Sequence, residues 1–256
     1  MFAGRRDFLK LSVVITAAAA GMSMLPVKAV PRSGFKAVVF DAFPIFDTRP
    51  VLPLVEQLFP GKEAELINVW RTKQFEYQWL RALSGNYADF WTVTEDSLAY
   101  ACAALKLELT ARAREQLMEV YLSLEAWPDV PAALHSLKQS GIRTAFLSNM
   151  SEKMLRANIK SAGLDGMFDQ VLSSDEIRSF KPDPRVYQLG LDALKLRREE
   201  ILFAAFAGWD AAGAKSFGYP TLWVNRLQAP PEMLGEAPDF VTKDLNGLAN
   251  LAVPAV

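Results

Sequence analysis

Cysteine and histidine are nearly absent from this chain of 256 residues, which contains one of each. A single cysteine excludes an internal disulfide framework and a cysteine-based metal cluster. Cys102 lies among alanines, so we expect it to be a small buried hydrophobic residue. His135 lies inside a predicted helix without a second histidine to complete a metal site, and we expect it to be structural.

An excess of charge of one sign is also missing, because 28 basic residues stand against 29 acidic ones and give a net charge of −1. Nucleic-acid-binding proteins usually carry a basic excess or patch, so this balance argues against a nucleic-acid partner. Hydrophobic residues make up 51% of the chain. This is enough for a sizeable core in one large domain, or in one domain that carries an insert.

Hydrophobic runs long enough to span a membrane are not evident, since the apolar stretch from Leu11 to Ala20 is short. The pair Arg5-Arg6 precedes this stretch, and the small-residue segment Val27-Lys28-Ala29 follows it. Twin arginines before a modest apolar stretch resemble a Tat signal. We therefore predict a signal peptide over residues 1–29, cleavage near Ala29, the Tat machinery as a partner and a periplasmic location. An uncleaved membrane anchor is the alternative.

The most informative residue that is present is Asp41, which follows the apolar run from Phe35 to Phe40. This run is typical of a fully buried strand. A carboxylate at its carboxyl end lies where open α/β folds bind ligands. Two places later stands Phe43, where a second aspartate would suggest a Mg²⁺ site. We interpret Asp41 as a nucleophile that works without metal or cofactor beside an apolar wall.

Helical periodicity dominates the stretch from Glu56 to Leu124, in which no strand-like alternation is found. Three prolines precede this stretch, Pro44, Pro50 and Pro53, and we interpret them as a linker. We predict roughly four helices in this block. Three of them have clear limits, namely Glu63 to Leu83, Ala88 to Leu105, and Ala111 to Leu124.

Strands and helices alternate from Pro131 onward. The predicted strands are Arg143 to Leu147, Gln170 to Leu172, Ile201 to Ala207, Thr221 to Val224, and Phe240 to Val241. Repeated β-α units imply a parallel sheet with right-handed crossovers, to which the strand before Asp41 also belongs. The predicted fold is therefore α/β, with a core domain at 35–49 and 128–256. An all-helical insert at 50–127, here called the cap, follows the first strand.

Four polar segments stand where predicted strands end or helices begin, and the topology brings them to one edge of the sheet. They are Asp41, Ser148-Asn149, Lys181-Pro182-Asp183-Pro184, and Trp209-Asp210. Each segment alone is a weak signal, because Ser-Asn is a common helix cap and Lys-Pro-Asp-Pro is a plausible turn. All four in this order are specific.

On these residues the sequence resembles the haloacid dehalogenase superfamily, and within it the type II (L-2-haloacid) dehalogenases. The resemblance extends from Phe35 to about Leu248. It rests on the four segments above, on Val39 to Phe43, on Trp70 to Tyr77, and on Tyr187. It implies a Rossmann-like parallel sheet with an all-helical cap after the first strand.

The resemblance also implies an activity, the hydrolytic dehalogenation of short (S)-2-haloacids to (R)-2-hydroxyacids. Asp41 would displace the halide and form an ester, which water would cleave at the carbonyl carbon of the aspartate. Lys181 would keep Asp41 ionised, and Asp210 would hold Lys181 and help to position water.

Further roles follow from the same resemblance. Ser148, with Lys181, would bind the substrate carboxylate, and Arg71 and Asn149 would bind the leaving halide. The remaining substrate-binding residues are Phe43, Phe75, Phe90, Trp209 and Tyr187. Outside this family context, Arg71 reads as one partner of a surface salt bridge, and the aromatic residues read as ordinary cap core. The implied partner is a small halogenated carboxylate, and related proteins often form homodimers through cap surfaces.

The sequence departs from the family pattern at several positions. Phe43 stands where the family has tyrosine, and Ile45 stands in place of a threonine that supports the nucleophile. Ala205 and Ala207 stand where a serine and a water-positioning asparagine are usual. The loss of that asparagine concerns ester hydrolysis more than ester formation. Two alternatives therefore remain: a degenerate member that binds small carboxylates without turnover, and a Mg²⁺-dependent phosphatase.

Overall fold

The structure is a computed structural model and describes residues 34–252, so the predicted signal peptide lies outside the described residues. Its strands are β1 (Ala37–Phe40), β2 (Phe46–Asp47), β3 (Glu125–Ala126), β4 (Arg143–Ser148), β5 (Gln170–Ser173), β6 (Ile201–Ala205), β7 (Thr221–Val224) and β8 (Phe240–Thr242). Its helices are α1 (Val51–Leu58), α2 (Glu63–Ser84), α3 (Phe90–Ala104), α4 (Ala111–Glu119), α5 (Val130–Gln139), α6 (Glu152–Ser161), α7 (Pro184–Leu194), α8 (Gly208–Phe217) and α9 (Leu248–Ala252).

Six strands form one wholly parallel sheet in the order β5-β4-β1-β6-β7-β8. β1 is central, and Val39 stands opposite Ala145 on one side and Phe203 on the other. Every residue of β1 is buried, as its unbroken apolar sequence requires for a strand covered on both faces. The predicted parallel sheet is confirmed, and each of its six strands coincides with a strand expected from the sequence.

One face of the sheet packs against α7 and α8. The core on this face contains Leu147, Tyr187, Phe203 and Trp223, all less than a tenth exposed. α7 begins with Pro184 in its first turn, where the missing N–H costs no helical hydrogen bond, and Asp183 caps it through the N–H of Arg185. The polar segments predicted to converge lie in the loops that follow the neighbouring strands. Packing of α7 and α8 against the sheet holds these loops in place.

Helices α1 to α4 stand in sequence between β1 and β4, and they form the expected helical insert. The pair α2 and α3 is joined by polar contacts in its interior. Trp70 Nε1 donates a hydrogen bond to the carbonyl oxygen of Thr94 (2.9 Å), and Gln74 Nε2 donates to Thr94 Oγ1 (2.6 Å). Cys102 is buried in α3, as its alanine-rich surroundings predicted.

Two local predictions for the insert are wrong. The prolines before residue 56 do not mark a linker throughout, because α1 begins at Val51 and contains Pro53. Pro53 is tolerated because it lies in the first turn, where backbone N–H groups have no partner within the helix. The helix predicted from Ala111 to Leu124 ends at Glu119 and continues only as a 3-10 turn to Leu122.

A short antiparallel pair, β2 and β3, joins the two chain segments that enter and leave the insert. Phe46 stands opposite Ala126, and the N–H of Trp127 donates to the carbonyl oxygen of Ile45 (3.0 Å). Two-residue strands are too short to show alternation, so the sequence did not reveal them. The domain limits at residues 50 and 127 stay a prediction. Within residues 34–252, no helix is both long and apolar enough to cross a membrane.

Candidate active site

Asp41, Lys181 and Asp210 form one buried ionic cluster at the carboxyl edge of the sheet. Asp41 directly follows β1, and its N–H donates to the carbonyl oxygen of Ala204 in β6 (3.0 Å). Lys181 Nζ donates to Asp41 Oδ1 (2.8 Å) and to Asp210 Oδ2 (2.6 Å). The structure therefore brings together the three residues that the sequence predicted to be catalytic.

The charges in this cluster follow from burial and from mutual attraction. Burial by itself would lower the pKa of Lys181, but Asp210 and Asp41 outweigh it and raise that pKa above its ordinary value. Burial raises the pKa of Asp210 to about 6, against the opposing effect of Lys181. Lys181 is thus a cation at neutral pH, and Asp210 is ionised there.

Tyr187 belongs to this cluster in a different way from the one predicted. It is fully buried and does not line the cavity described below, so its position does not support direct substrate contact. Its hydroxyl donates to Asp210 Oδ1 (2.7 Å) instead. Burial raises the pKa of Tyr187 well above 10, which keeps the hydroxyl a donor. Tyr187 therefore supports Asp210 from behind.

Ser148 ends β4 and Asn149 follows it, and both lie between Asp41 and the Lys181 loop. Ser148 Oγ donates to Asp41 Oδ1 over 3.4 Å and accepts from the N–H of Met150 (3.1 Å). Asn149 Oδ1 accepts from the N–H of Lys181 (2.9 Å). Both side chains are buried and line the same cavity as Asp41, as predicted.

One face of α2 closes the site from the cap side. Arg71, Gln74, Phe75 and Gln78 are spaced by three or four residues and all line the cavity. Arg71 is exposed to solvent, and within residues 34–252 no acidic side chain forms an ion pair with it, unlike the cap pair Arg81–Asp96. Its positive charge is available to an anion in the cavity.

The cavity between α2 and the sheet edge has a volume of about 360 Å³. The predicted aromatic residues Phe43, Phe75, Phe90 and Trp209 all line it. Trp209 packs edge-on against Phe75, with ring centroids 5.6 Å apart. A polar end formed by the ionic cluster and an apolar wall together make a site for a small organic anion.

Comparisons with known proteins agree with this geometry. The sequence model of the haloacid dehalogenase-like hydrolases matches residues 35–218. The chain belongs to this family. Within this family, the chain is similar to the L-2-haloacid dehalogenases. It is 41% identical to an (S)-2-haloacid dehalogenase from Pseudomonas sp. (strain YL), over 84% of this chain and 94% of that one.

Two further relatives of this haloacid dehalogenase-like hydrolase are informative. A haloacetate dehalogenase from Moraxella sp. (strain B) is 37% identical over 84% of this chain and 97% of its own. The L-2-haloacid dehalogenase from Xanthobacter autotrophicus has been solved with chloropropionic acid covalently bound. That structure superposes with a TM-score of 0.78 at 38% identity, and the match covers 85% of this chain and 98% of that one.

The positions at which this haloacid dehalogenase-like hydrolase departs from the family pattern lie in or under the site. Ala207 lines the cavity immediately before α8, whereas Ala205 is buried at the end of β6. Ile45 is fully buried and offers Asp41 no hydroxyl group. The N–H of Phe43 donates to Asp41 Oδ2 instead, over 3.3 Å.

Several residues of the cavity were not predicted. Gln74 and Gln78 follow Arg71 at helical spacing, so the periodicity of α2 could have indicated them. Other unpredicted residues come from the segments beside the short antiparallel pair, from β7 and from the loops after β6 and β7, and they are Arg49, Tyr121, Trp127, Phe206, Trp223 and Glu232. Sequence spacing carries no signal for these, because only tertiary packing brings them to one wall.

Proposed function

We propose that the protein hydrolyses the carbon–halogen bond of short (S)-2-haloacids and releases (R)-2-hydroxyacids, without a metal or cofactor. The observation that carries this proposal is the buried contact of Asp41 with Lys181 at the floor of an apolar cavity. Dehalogenases of this specificity are among the relatives, and one relative holds chloropropionic acid covalently. The alternatives, a binding protein and a phosphatase, are less well supported.

In the first step, the Asp41 carboxylate attacks the carbon that bears the halogen. A carbon–oxygen bond forms, the carbon–halogen bond breaks, and the halide leaves with the electron pair. Among the residues that the structure describes, Oδ1 of Asp41 accepts hydrogen bonds from Lys181 and Ser148, whereas Oδ2 accepts only a long one from the N–H of Phe43. Oδ2 is therefore the less stabilised oxygen, and we assign the attack to it. The charge of Arg71 stabilises the departing halide.

In the second step, water attacks the carbonyl carbon of the Asp41 ester, and the bond between that carbon and the ester oxygen breaks. Asp210 is the base in this step, because its pKa of about 6 leaves it ionised at neutral pH yet able to accept a proton. Lys181 stabilises the negative charge that develops on the oxygen of Asp41. Asp210 passes the proton that it took from water to the departing alkoxide oxygen, and the hydroxyacid leaves. The second proton of the water is released to solvent, and Asp41 is regenerated as the carboxylate.

Substrate orientation follows from the remaining donors. An ammonium group has three N–H donors, and Lys181 uses two of them for Asp41 and Asp210. The third is available to the substrate carboxylate, and the Ser148 hydroxyl can donate to the same carboxylate by turning away from Asp41, to which its bond is long (3.4 Å). The aromatic wall excludes bulk water from the reacting carbon and strengthens each of these charged contacts.

Isotope labelling of a single turnover tests the proposal. We expect the purified protein to release chloride from L-2-chloropropionate, and the Asp41→Asn variant to release none. In water enriched in heavy oxygen, one turnover incorporates the label into Asp41, because water attacks the aspartate carbon.

Other outcomes assign the alternatives. An ester that persists on Asp41 shows that attack survives and hydrolysis does not. Carboxylate binding with neither adduct nor turnover identifies a protein that only binds. Magnesium-dependent release of phosphate from an aryl phosphate, without release of halide from any short 2-haloacid, identifies a phosphatase.

We also propose that the chain is exported by the Tat machinery and acts in the periplasm. Arg5-Arg6, the apolar stretch after them and the small residues up to Ala29 support this proposal. Replacing both arginines by lysine is expected to leave the protein in the cytoplasmic fraction, with its leader intact. Equal periplasmic amounts of both forms would contradict it.

A homodimer is a further proposal. α2 exposes Leu80 and Leu83 on the cap, with 59% and 87% of their surface accessible. Sedimentation of the purified protein measures the oligomeric state, and a monomer at micromolar concentration would contradict the proposal.

A further inference from the structure

Gln78 is a fully buried polar residue on the cap helix α2, and the two chemical steps described above do not use it. Its Nε2 donates to the carbonyl oxygen of Gln74 one turn earlier (3.1 Å). Its Oε1 accepts from Asn149 Nδ2 on the core side (2.7 Å). A buried amide that bridges two parts of the fold needs an explanation, since a leucine would fill the space without any polar group to satisfy.

The bridge continues into the catalytic loop. Asn149 donates to Gln78 and accepts from the N–H of Lys181 (2.9 Å). The carbonyl oxygen of Lys181 in turn accepts from Nε1 of Trp79 (3.1 Å), and Trp79 is the residue next to Gln78 on α2. Both polar backbone groups of Lys181 are thus held by side chains, one directly from α2 and one through Asn149.

This arrangement permits a single orientation of the Asn149 amide. Rotating that amide by half a turn would face its oxygen with Gln78 Oε1 and its nitrogen with the N–H of Lys181, and both contacts would be repulsive. Gln78 cannot turn to relieve the first, because its own Nε2 is bound to the carbonyl oxygen of Gln74. In a buried site such mismatches are costly.

We propose that Gln78 is a positioning residue that fixes the amide of Asn149 so that its second N–H faces the leaving halide. Asn149 lines the cavity, and its Nδ2 has two N–H donors, of which Gln78 takes one. The proposal rests on the proposed function. It gives the cap a role in the chemistry, because a residue of α2 determines whether the halide faces the N–H or the oxygen of the Asn149 amide.

The test compares leaving groups. Gln78→Met keeps the length of the side chain and removes both polar atoms, whereas Gln78→Glu keeps an acceptor for Asn149. The rate of ester formation on Asp41 is measured in single turnovers with 2-chloropropionate and 2-bromopropionate. Gln188→Leu on α7 is the matched control, because the Gln188 side chain does not line the cavity and donates a hydrogen bond to Asp192 on its own helix (3.0 Å).

We expect Gln78→Met to slow ester formation from the chloro acid roughly five- to tenfold and from the bromo acid roughly two- to threefold, as loss of one hydrogen bond to the smaller halide predicts. The ratio of bromide to chloride rates therefore rises about threefold. Gln78→Glu and Gln188→Leu are expected to keep the ratio of the unaltered protein.

A purely structural role of Gln78 would slow both substrates equally, so an unchanged ratio overturns the inference while the proposed function stands. If Gln78→Met does not fold, the other variants decide. A changed ratio of bromo to chloro rates in Gln78→Glu overturns the inference. An unchanged ratio in Gln78→Glu together with an altered ratio in Asn149→Ala supports it. Absence of halide release from the unaltered protein would refute the proposed function itself and this inference with it.

Discussion

At the scale of single residues, the site places three charged side chains close together where bulk water is excluded. Asp41 and Asp210 would repel each other if they met without Lys181, and Lys181 would lose its proton more readily if it were buried without them. Lys181 Nζ lies 2.8 Å from Asp41 Oδ1 and 2.6 Å from Asp210 Oδ2. These contacts offset the repulsion between the two carboxylates and keep the lysine protonated. The hydroxyl of Tyr187 adds a donor to Asp210 and completes the solvation that water provides elsewhere.

The pH dependence of ester hydrolysis tests this account. Because the pKa of Asp210 is raised to about 6, the residue is protonated at lower pH and the rate falls roughly tenfold per unit well below that value. Tyr187→Phe removes a hydrogen bond that favours the ionised form of Asp210. We therefore expect its acid limb to move to higher pH, in decay rates of the Asp41 ester.

Tyr219→Phe is the control for that experiment, because the Tyr219 hydroxyl donates to the backbone carbonyl of Tyr187, and no carboxylate within residues 34–252 accepts a hydrogen bond from it. Its acid limb is expected to match that of the unaltered protein. An acid limb that stays in place in Tyr187→Phe would show that Asp210 is not the titrating base.

At the scale of elements, α7 and α8 approach each other closely, which lets the hydroxyl of Tyr187 on α7 reach Asp210 on α8. Gly213 lies one helical turn after Asp210 on α8, on the same face. A Cβ atom at Gly213 would stand 2.6 Å from the hydroxyl oxygen of Tyr187 and 2.7 Å from Cβ of Pro182. Glycine is needed at this position because a side chain would displace both the tyrosine and the loop that carries Lys181.

Gly213→Ala is accordingly expected to lower the free energy of unfolding by roughly 1–3 kcal/mol, the usual cost of overpacking. It is also expected to slow ester hydrolysis by moving Tyr187 away from Asp210. Urea denaturation measures the first effect and decay of the Asp41 ester the second.

Gly208→Ala provides a matched change on the same helix. The three atoms nearest its added Cβ all belong to the exposed side chain of Glu232, which can move aside, so the unfolding free energy is expected to stay within about 0.5 kcal/mol of the original. Equal stability of the two alanine variants would contradict the packing argument for Gly213.

At the scale of the whole molecule, Arg226 connects both chain segments at the base of the cap to the loop after β7. It is 5% exposed, pairs with Asp129 through two hydrogen bonds (2.9 and 3.0 Å), and donates to the carbonyl oxygen of Pro44 (2.7 Å). Its guanidinium also packs on Trp127, 4.6 Å from the ring centroid. One side chain thus fixes the connection on which the cavity geometry depends.

Replacing Arg226 by methionine leaves Asp129 without its cation. Asp129 has a pKa below its ordinary value, because Arg226 and the N–H of Leu245 outweigh the effect of burial. The pair therefore stabilises the fold at pH values above the ordinary range of aspartate, neutral pH included. We expect Arg226→Met to lower the unfolding free energy by roughly 3–5 kcal/mol at neutral pH.

The comparison for that variant is Arg156→Met, which breaks an exposed pair with Glu152 and is expected to cost less than about 1 kcal/mol. Urea denaturation at neutral pH measures both. A cost for Arg226→Met as small as for Arg156→Met would contradict a buried connection.

Much of the fold follows from local sequence. Apolar runs such as Phe35 to Phe40 and turn residues between them give the strands of a parallel sheet, because a strand covered on both faces needs a continuous apolar sequence. Helical spacing gives α2 within one residue of its observed end. The convergence of Asp41, Ser148, Lys181 and Asp210 also follows, since parallel strands place their carboxyl ends on one edge.

The sequence by itself therefore determined the sheet, the order of its elements and the identity of the charged residues that meet at its edge. Only the tertiary structure decided that Tyr187 supports Asp210 rather than the substrate, and that Gln78 reaches Asn149 across 71 positions in sequence. The physical reason is range. Strand and helix patterns arise from neighbours a few residues apart, whereas the partner of a buried hydroxyl or amide is chosen by packing between elements that are distant along the chain.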